Sequence, residues 1–183
     1  MSRHRATALI VFVLTTTIFI QSSGAGLSDS AAVAHHVMLT PGDMKWGPFP
    51  ALGPGIQSTI LSGDPAKTGS LFVFRLKMPD GAKVPPHWHP IDEHITVMSG
   101  IFLFGTGEKF DTKALRELPA GSYAFMPKRA RHFALTKGDT VIQLTGVGPF
   151  KIIYVNPADD PLRKRAATKV QSPQSWSFKP VES

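Results

Sequence analysis

The chain has 183 residues, 42% hydrophobic and 18% charged, with 16 Pro, 16 Gly and no Cys. That length suits one domain with a sizeable core, and the composition excludes a disordered or fibrous chain. The absence of Cys removes disulfides, thiolate metal ligands, a thiol nucleophile and a lipidated cysteine anchor, while a formal charge of +7 without a nucleic-acid-reading motif argues against a nucleic-acid partner.

Residues 1–25 read as a signal peptide. Arg3 and Arg5 precede an apolar run from Ala6 to Ile20, and Ser23-Gly24-Ala25 supplies small residues for cleavage, with Ala32-Val33-Ala34 as a second candidate. The run is 15 residues, short of the roughly 20 that span a bilayer, so no stable membrane anchor is expected after cleavage. His4 separates the two arginines, which favours export of an unfolded chain to the periplasm or beyond. Metal would then be acquired outside the cytoplasm.

Residues 26–67, containing Trp46-Gly47-Pro48-Phe49-Pro50, read as an irregular arm, with His35-His36 exposed on it. From Leu71 to Met78, Phe72, Phe74, Leu76 and Met78 alternate with Val73, Arg75 and Lys77, the period of a half-buried strand. Strands follow up to His89, on Ile95–Met98 and on Ile101–Phe104, the last two joined by a turn at Ser99-Gly100. A short helical turn lies within Asp111–Leu118. Further strands are expected over Ser122–Met126, Arg131–Thr136, Thr140–Gly146 and Phe150–Val155. Regularly spaced short strands separated by turns predict an all-β sandwich or closed barrel over residues 68–156. Residues 157–183 read as an extended or disordered tail, with Trp176 and Phe178 as possible anchors and Arg163-Lys164-Arg165 a solvated cluster.

His87 and His89 lie two apart, so one strand projects both to one face, and Glu93 follows four residues later. Imidazole nitrogen with carboxylate oxygen suits Mn, Fe, Ni, Zn or Cu. On a regular strand His94 faces away from Glu93. Gln143 and Thr145 share a face, either pocket or surface; Phe72, Phe74, Tyr123 and Phe125 either wall a cavity or, as expected first, pack in the core; Arg129 and Arg131 solvate a loop or attract an anion.

The spacing carries a resemblance. Gly81, five residues, His87-Trp88-His89, three residues, Glu93, six residues and Gly100 match the first cupin motif; Gly121, five residues, Pro127 and then His132 match the second. The chain thus resembles the cupin superfamily of small single-domain bacterial proteins. The resemblance implies a jelly-roll β-barrel and one divalent metal ion held by His87, His89, Glu93 and His132. It also implies a tendency to homodimerise. Two positions depart from the pattern: Arg129 stands where a glycine is usual and Thr136 where an asparagine is usual.

A three-histidine site with an optional carboxylate suits dioxygen chemistry on a small molecule bearing oxygen donors, with Glu93 as ligand or proton carrier. The same residues serve a redox-neutral isomerase or lyase, or a noncatalytic metal or small-ligand binding protein.

Overall fold

The structure, a computed structural model, describes residues 36–171. The expected signal peptide and the anchors Trp176 and Phe178 lie outside these residues, as does His35; His36 is exposed.

Among the described residues nine strands form one curled sheet: β1 (Gly47–Pro48), β2 (Gln57–Ser62), β3 (Leu71–Met78), β4 (Lys83–Trp88), β5 (Glu93–Thr106), β6 (Arg116–Pro119), β7 (Tyr123–Met126), β8 (His132–Val147) and β9 (Ile153–Tyr154). All strand pairs are antiparallel, as an all-β jelly roll requires. Two long strands hold it together. The Thr140–Val147 half of β8 pairs with β3, whereas its His132–Leu135 half pairs with β4. Likewise β5 pairs with β7 through Glu93–Thr96 and with β6 through Ile101–Phe104, while lying against β8 along most of its length.

Ser99-Gly100 is therefore a bend within β5 and not the expected turn between two strands. The register with β8 shifts on either side of Ser99, and Gly100 adopts φ 76°. A Cβ there would lie 2.5 Å from the Asp139 carbonyl oxygen, so only glycine lets the two long strands bend against each other. The two strands expected over Arg131–Thr136 and Thr140–Gly146 are likewise one, β8, with Gly138 at φ 75° between them.

The alternation in β3 is realised: Phe72, Phe74, Leu76 and Met78 are all buried. They meet Ile95, Val97, Phe102, Phe104, Ala134, Ile142 and Leu144 in one core. Apart from Ala134, each such side chain contributes about 1.5–3 kcal/mol on full burial. Tyr123 and Phe125 depart from the expectation, being 58% and 43% exposed. In β7 the sequence Tyr-Ala-Phe-Met is apolar on both faces, and the inward pair is Ala124 and Met126.

The segment read as an irregular arm is partly sheet, because β2 pairs with β3 and β1 pairs with β2. Phe49 from this segment and Phe150 from beyond β8 clamp the ring of Phe74 at 6.1 and 5.3 Å. The tail is not extended throughout: α1 spans Pro161–Gln171. Asp160 accepts a hydrogen bond from the Leu162 N–H at 2.9 Å, and Pro161 occupies the first helical position, where it needs no donor. No described helix is long and apolar enough to cross a membrane.

Candidate metal centre

β4 ends at Trp88, so His87 sits on the last inward position of the strand and His89 just beyond it, both turned into the barrel. Glu93 opens β5 and His132 opens β8. His87 pairs in register with His132 across β4 and β8, which brings residues 45 apart in sequence to one end of the barrel. All four are 5% exposed or less. His94 is exposed on the outer face beside Tyr123, as its opposite parity requires.

Every one of the three imidazoles is oriented by a backbone carbonyl. His87 Nδ1 lies 2.8 Å from the Pro85 oxygen, His89 Nδ1 2.7 Å from that of Lys151, and His132 Nδ1 3.0 Å from that of Ala130. A carbonyl only accepts, so each Nδ1 carries the proton and each Nε2 presents a lone pair. One ligand atom from each of the three lies within 4.8 Å of the others, near the span of two metal–nitrogen bonds of about 2.1 Å.

Glu93 comes close to two of them, with Oε1 3.5 Å from His89 Nε2 and Oε2 3.4 Å from His132 Nε2. These are not ion pairs. Burial pushes the Glu93 carboxyl up to about 8 and His89 and His132 down to about 4; His87 is lowered well below its usual range by burial and by the neighbouring imidazoles. At neutral pH the four groups are therefore uncharged, and the imidazoles are in the form that binds metal.

His89 Nε2 and Glu93 Oε2 are buried with no hydrogen-bond partner. Buried polar atoms without partners cost about 1–3 kcal/mol each. A cation at the meeting point of the imidazoles satisfies both, and the donor set of neutral nitrogen and carboxyl oxygen fits a divalent transition metal. Three histidines complete a ligand set alone; Glu93 is placed to add a fourth donor or to hold a proton.

The cavity around these groups is apolar. Its wall includes Leu52, Leu76, Ile95, Phe104, Ile142 and Phe150, and its free volume is about 30 Å³. The Phe150 ring stacks on His89 at 4.7 Å, and Phe104 lies 5.3 Å from His132. Sequence reasoning missed Leu52, Phe104 and Phe150: no local pattern distinguishes them from ordinary core residues, and Leu52 and Phe150 arrive from segments outside the motifs. Gln143 and Thr145 lie on the outer parity of β8, where Gln143 accepts a hydrogen bond from Arg75 Nε at 3.1 Å. Arg131 reaches Glu108 at 3.0 Å.

The two departures from the motif pattern are both accommodated. Arg129 takes φ 67°, the left-handed conformation a glycine would adopt, and its N–H donates to the His89 carbonyl at 2.8 Å. Thr136 is buried, donating from Oγ1 to the Pro79 carbonyl at 2.6 Å and accepting from the Ala82 N–H at 2.8 Å, so it ties the Asp80-Gly81 turn to β8.

A jelly-roll barrel whose interior gathers three histidines from both motifs defines a cupin with a candidate metal site. The sequence profile of the ChrR cupin-like domain matches residues 34–151, and the chain belongs to that family. Among solved structures, the polyketide cyclase RemF from Streptomyces resistomycificus is similar at 16% identity and TM-score 0.56, over 72% of this chain and 94% of that one. A candidate acetylacetone dioxygenase from Methylibium petroleiphilum is similar at 18% identity and TM-score 0.53, over 70% and 86%. KdgF from Halomonas sp. aligns at 24% identity over 62% and 96%, with TM-score 0.49. At these identities the first two likenesses establish the fold. No curated protein sequence matches the chain at a significant level.

Proposed function

We propose that this chain is an exported metal-dependent cupin enzyme acting on a small organic molecule, with dioxygen chemistry as its reaction class. The observation that carries the reading is that one ring nitrogen from each of His87, His89 and His132 lies within 4.8 Å of the others, buried beside the unpartnered Glu93 oxygen. His87, His89 and His132 hold the ion, which when bound supplies Lewis-acid or redox chemistry to a chelating substrate. Glu93, uncharged when buried, carries a proton at Oε2 or yields it and becomes a ligand. Phe104, Phe150 and Leu52 exclude bulk water. Because the cavity wall offers no polar group beyond those four, the substrate's oxygen donors are confined to its chelating end and the remainder is hydrocarbon. A candidate acetylacetone dioxygenase among the similar structures is consistent with this reaction class.

A noncatalytic metal-binding cupin is the second reading, favoured by the free volume of about 30 Å³, room for roughly two water molecules. The test begins with metal analysis of the mature chain, produced both with and without export, because Zn and Cu outcompete Fe and Mn at such donors outside the cytoplasm. Oxygen-consumption assays against apolar chelators follow. Metal-dependent uptake supports the oxygenase; conversion without uptake supports an isomerase or lyase; metal without any turnover supports the binding protein.

A further inference from the structure

The donors of the metal centre are 2–5% exposed and share a free volume of about 30 Å³, so no organic ligand reaches them without part of the wall moving. Leu52 and Phe104, two buried members of that wall, each also border a groove open to solvent. Leu52 borders a groove of about 270 Å³ along Pro79–Lys83, and Phe104 borders one of about 350 Å³ between β6 and β7. The Leu52 groove lies away from the centre, since Lys83 pairs with Leu135, three residues along β8 from His132. The Phe104 groove lies at the centre: it includes Met126, which pairs with Glu93, and the Phe104 ring is 5.3 Å from His132.

The backbone makes the same distinction. β6 and β7 each pair with β5 and not with each other, so no ladder of hydrogen bonds crosses the slot between them. At the end away from Ala120–Ser122, where Gly121 and Ser122 hydrogen-bond Val97, widening it leaves both ladders intact and disturbs side-chain packing. Leu118, Ala124 and Met126 form its apolar inner wall, with Arg116 as its one cation among the lining residues.

We infer that this slot is the entrance to the metal centre, with Phe104 as its gate, and that the slot wall seats the hydrocarbon part of a ligand whose chelating head meets the three histidines. The inference rests on the metal site of the proposed function. A turn of one phenyl ring joins the groove to the cavity, and the side chain that separates them sets the width of ligand admitted.

The test uses the full chain loaded with Co²⁺ and follows metal removal by the planar aromatic chelator 8-hydroxyquinoline. Phe104→Leu should speed removal by roughly tenfold, as expected when a gate and not the chemistry limits exchange. Ala124→Phe, which fills the slot from its inner wall, should slow it, with Co²⁺ affinity unchanged in both. Ile56→Ala truncates a buried core residue that lines neither the cavity nor the slot and should leave the rate alone, which controls for general loosening of the core. Wild-type rates in both slot variants, or acceleration in Ile56→Ala without acceleration in Phe104→Leu, overturn the gate while leaving the metal site intact. A wild-type chain that takes up no Co²⁺ removes the centre and the gate together.

Discussion

His87 and His132 face each other across adjacent strands, paired in register with ring centroids 4.3 Å apart and planes crossed at 64°. Neither strand alone makes a site; the pairing of β4 with β8 does. Truncating either ring to alanine removes one of three nitrogen donors, and metal affinity should fall by more than about 100-fold, beyond the loss seen when only a supporting contact is removed. Metal analysis after dialysis reads this directly. Full occupancy in either variant would remove the centre from this end of the barrel.

Glu93 divides the possible ligand sets. With its carboxyl pushed up to about 8, ligation by Glu93 must release a proton, so metal affinity should rise with pH up to about 8. Glu93→Gln keeps the shape without the proton. It should retain metal on the three histidines and lose the rise between about pH 7 and 8. Titrations of both chains with Co²⁺ at a series of pH values measure the difference; loss of all metal would make the carboxylate indispensable.

The metal-free chain should be most stable near pH 6.5. His89 and His132 drop from 6.5 to about 4 on folding, and burial also lowers His87 well below its usual range, so the unfolded chain takes up protons first as pH falls. Their contribution is present above pH 6.5 and is lost on the way down through about 4. Glu93 acts oppositely: raised from 4.5 to about 8, it contributes fully below 4.5 and the contribution is lost as pH climbs through about 8. Three histidines outweigh one glutamate between pH 4.5 and 6.5, and the glutamate acts alone from there to about 8. Each group changes stability by up to about 1.4 kcal/mol per pH unit. Urea midpoints across this range should trace a peak, and Glu93→Gln should flatten its alkaline side.

Arg129→Gly should not destabilise the chain. A left-handed residue with a Cβ costs about 1–2 kcal/mol, and glycine returns about 0.5–1 of that through the greater freedom of its unfolded state. The hydrogen bond from the residue 129 N–H to His89 involves only backbone and survives the change. An unchanged or slightly higher urea midpoint is expected, by up to about 1 kcal/mol. A clear loss would mean that the guanidinium supports the loop beyond its backbone.

Much of this site was legible because the two motifs fix His87, His89, Glu93 and His132 by spacing, and β3 because its inward and outward faces differ sharply in polarity. Other features depended on contacts that no short window contains. Ser99-Gly100 and Lys137-Gly138 carry the composition of turns, yet cross-strand pairing turns them into bends within β5 and β8. Tyr123 and Phe125 alternate with residues nearly as apolar, so hydropathy could not choose the inward face of β7. Residues 157–183 read as extended or disordered because the position of Pro161 relative to Asp160, which makes it a helix start, is a matter of backbone conformation. Phe104 and Phe150 gain their place beside the imidazoles only when the barrel closes.

The carbonyls of Pro85, Ala130 and Lys151 that steer the three imidazoles belong to the main chain. A point substitution at those three positions can alter a side chain but cannot delete the acceptor. Coordination geometry is thereby inherited with the path of the polypeptide, and the walls of the chamber are left free to change what the ion is offered while the ion's own setting stays constant.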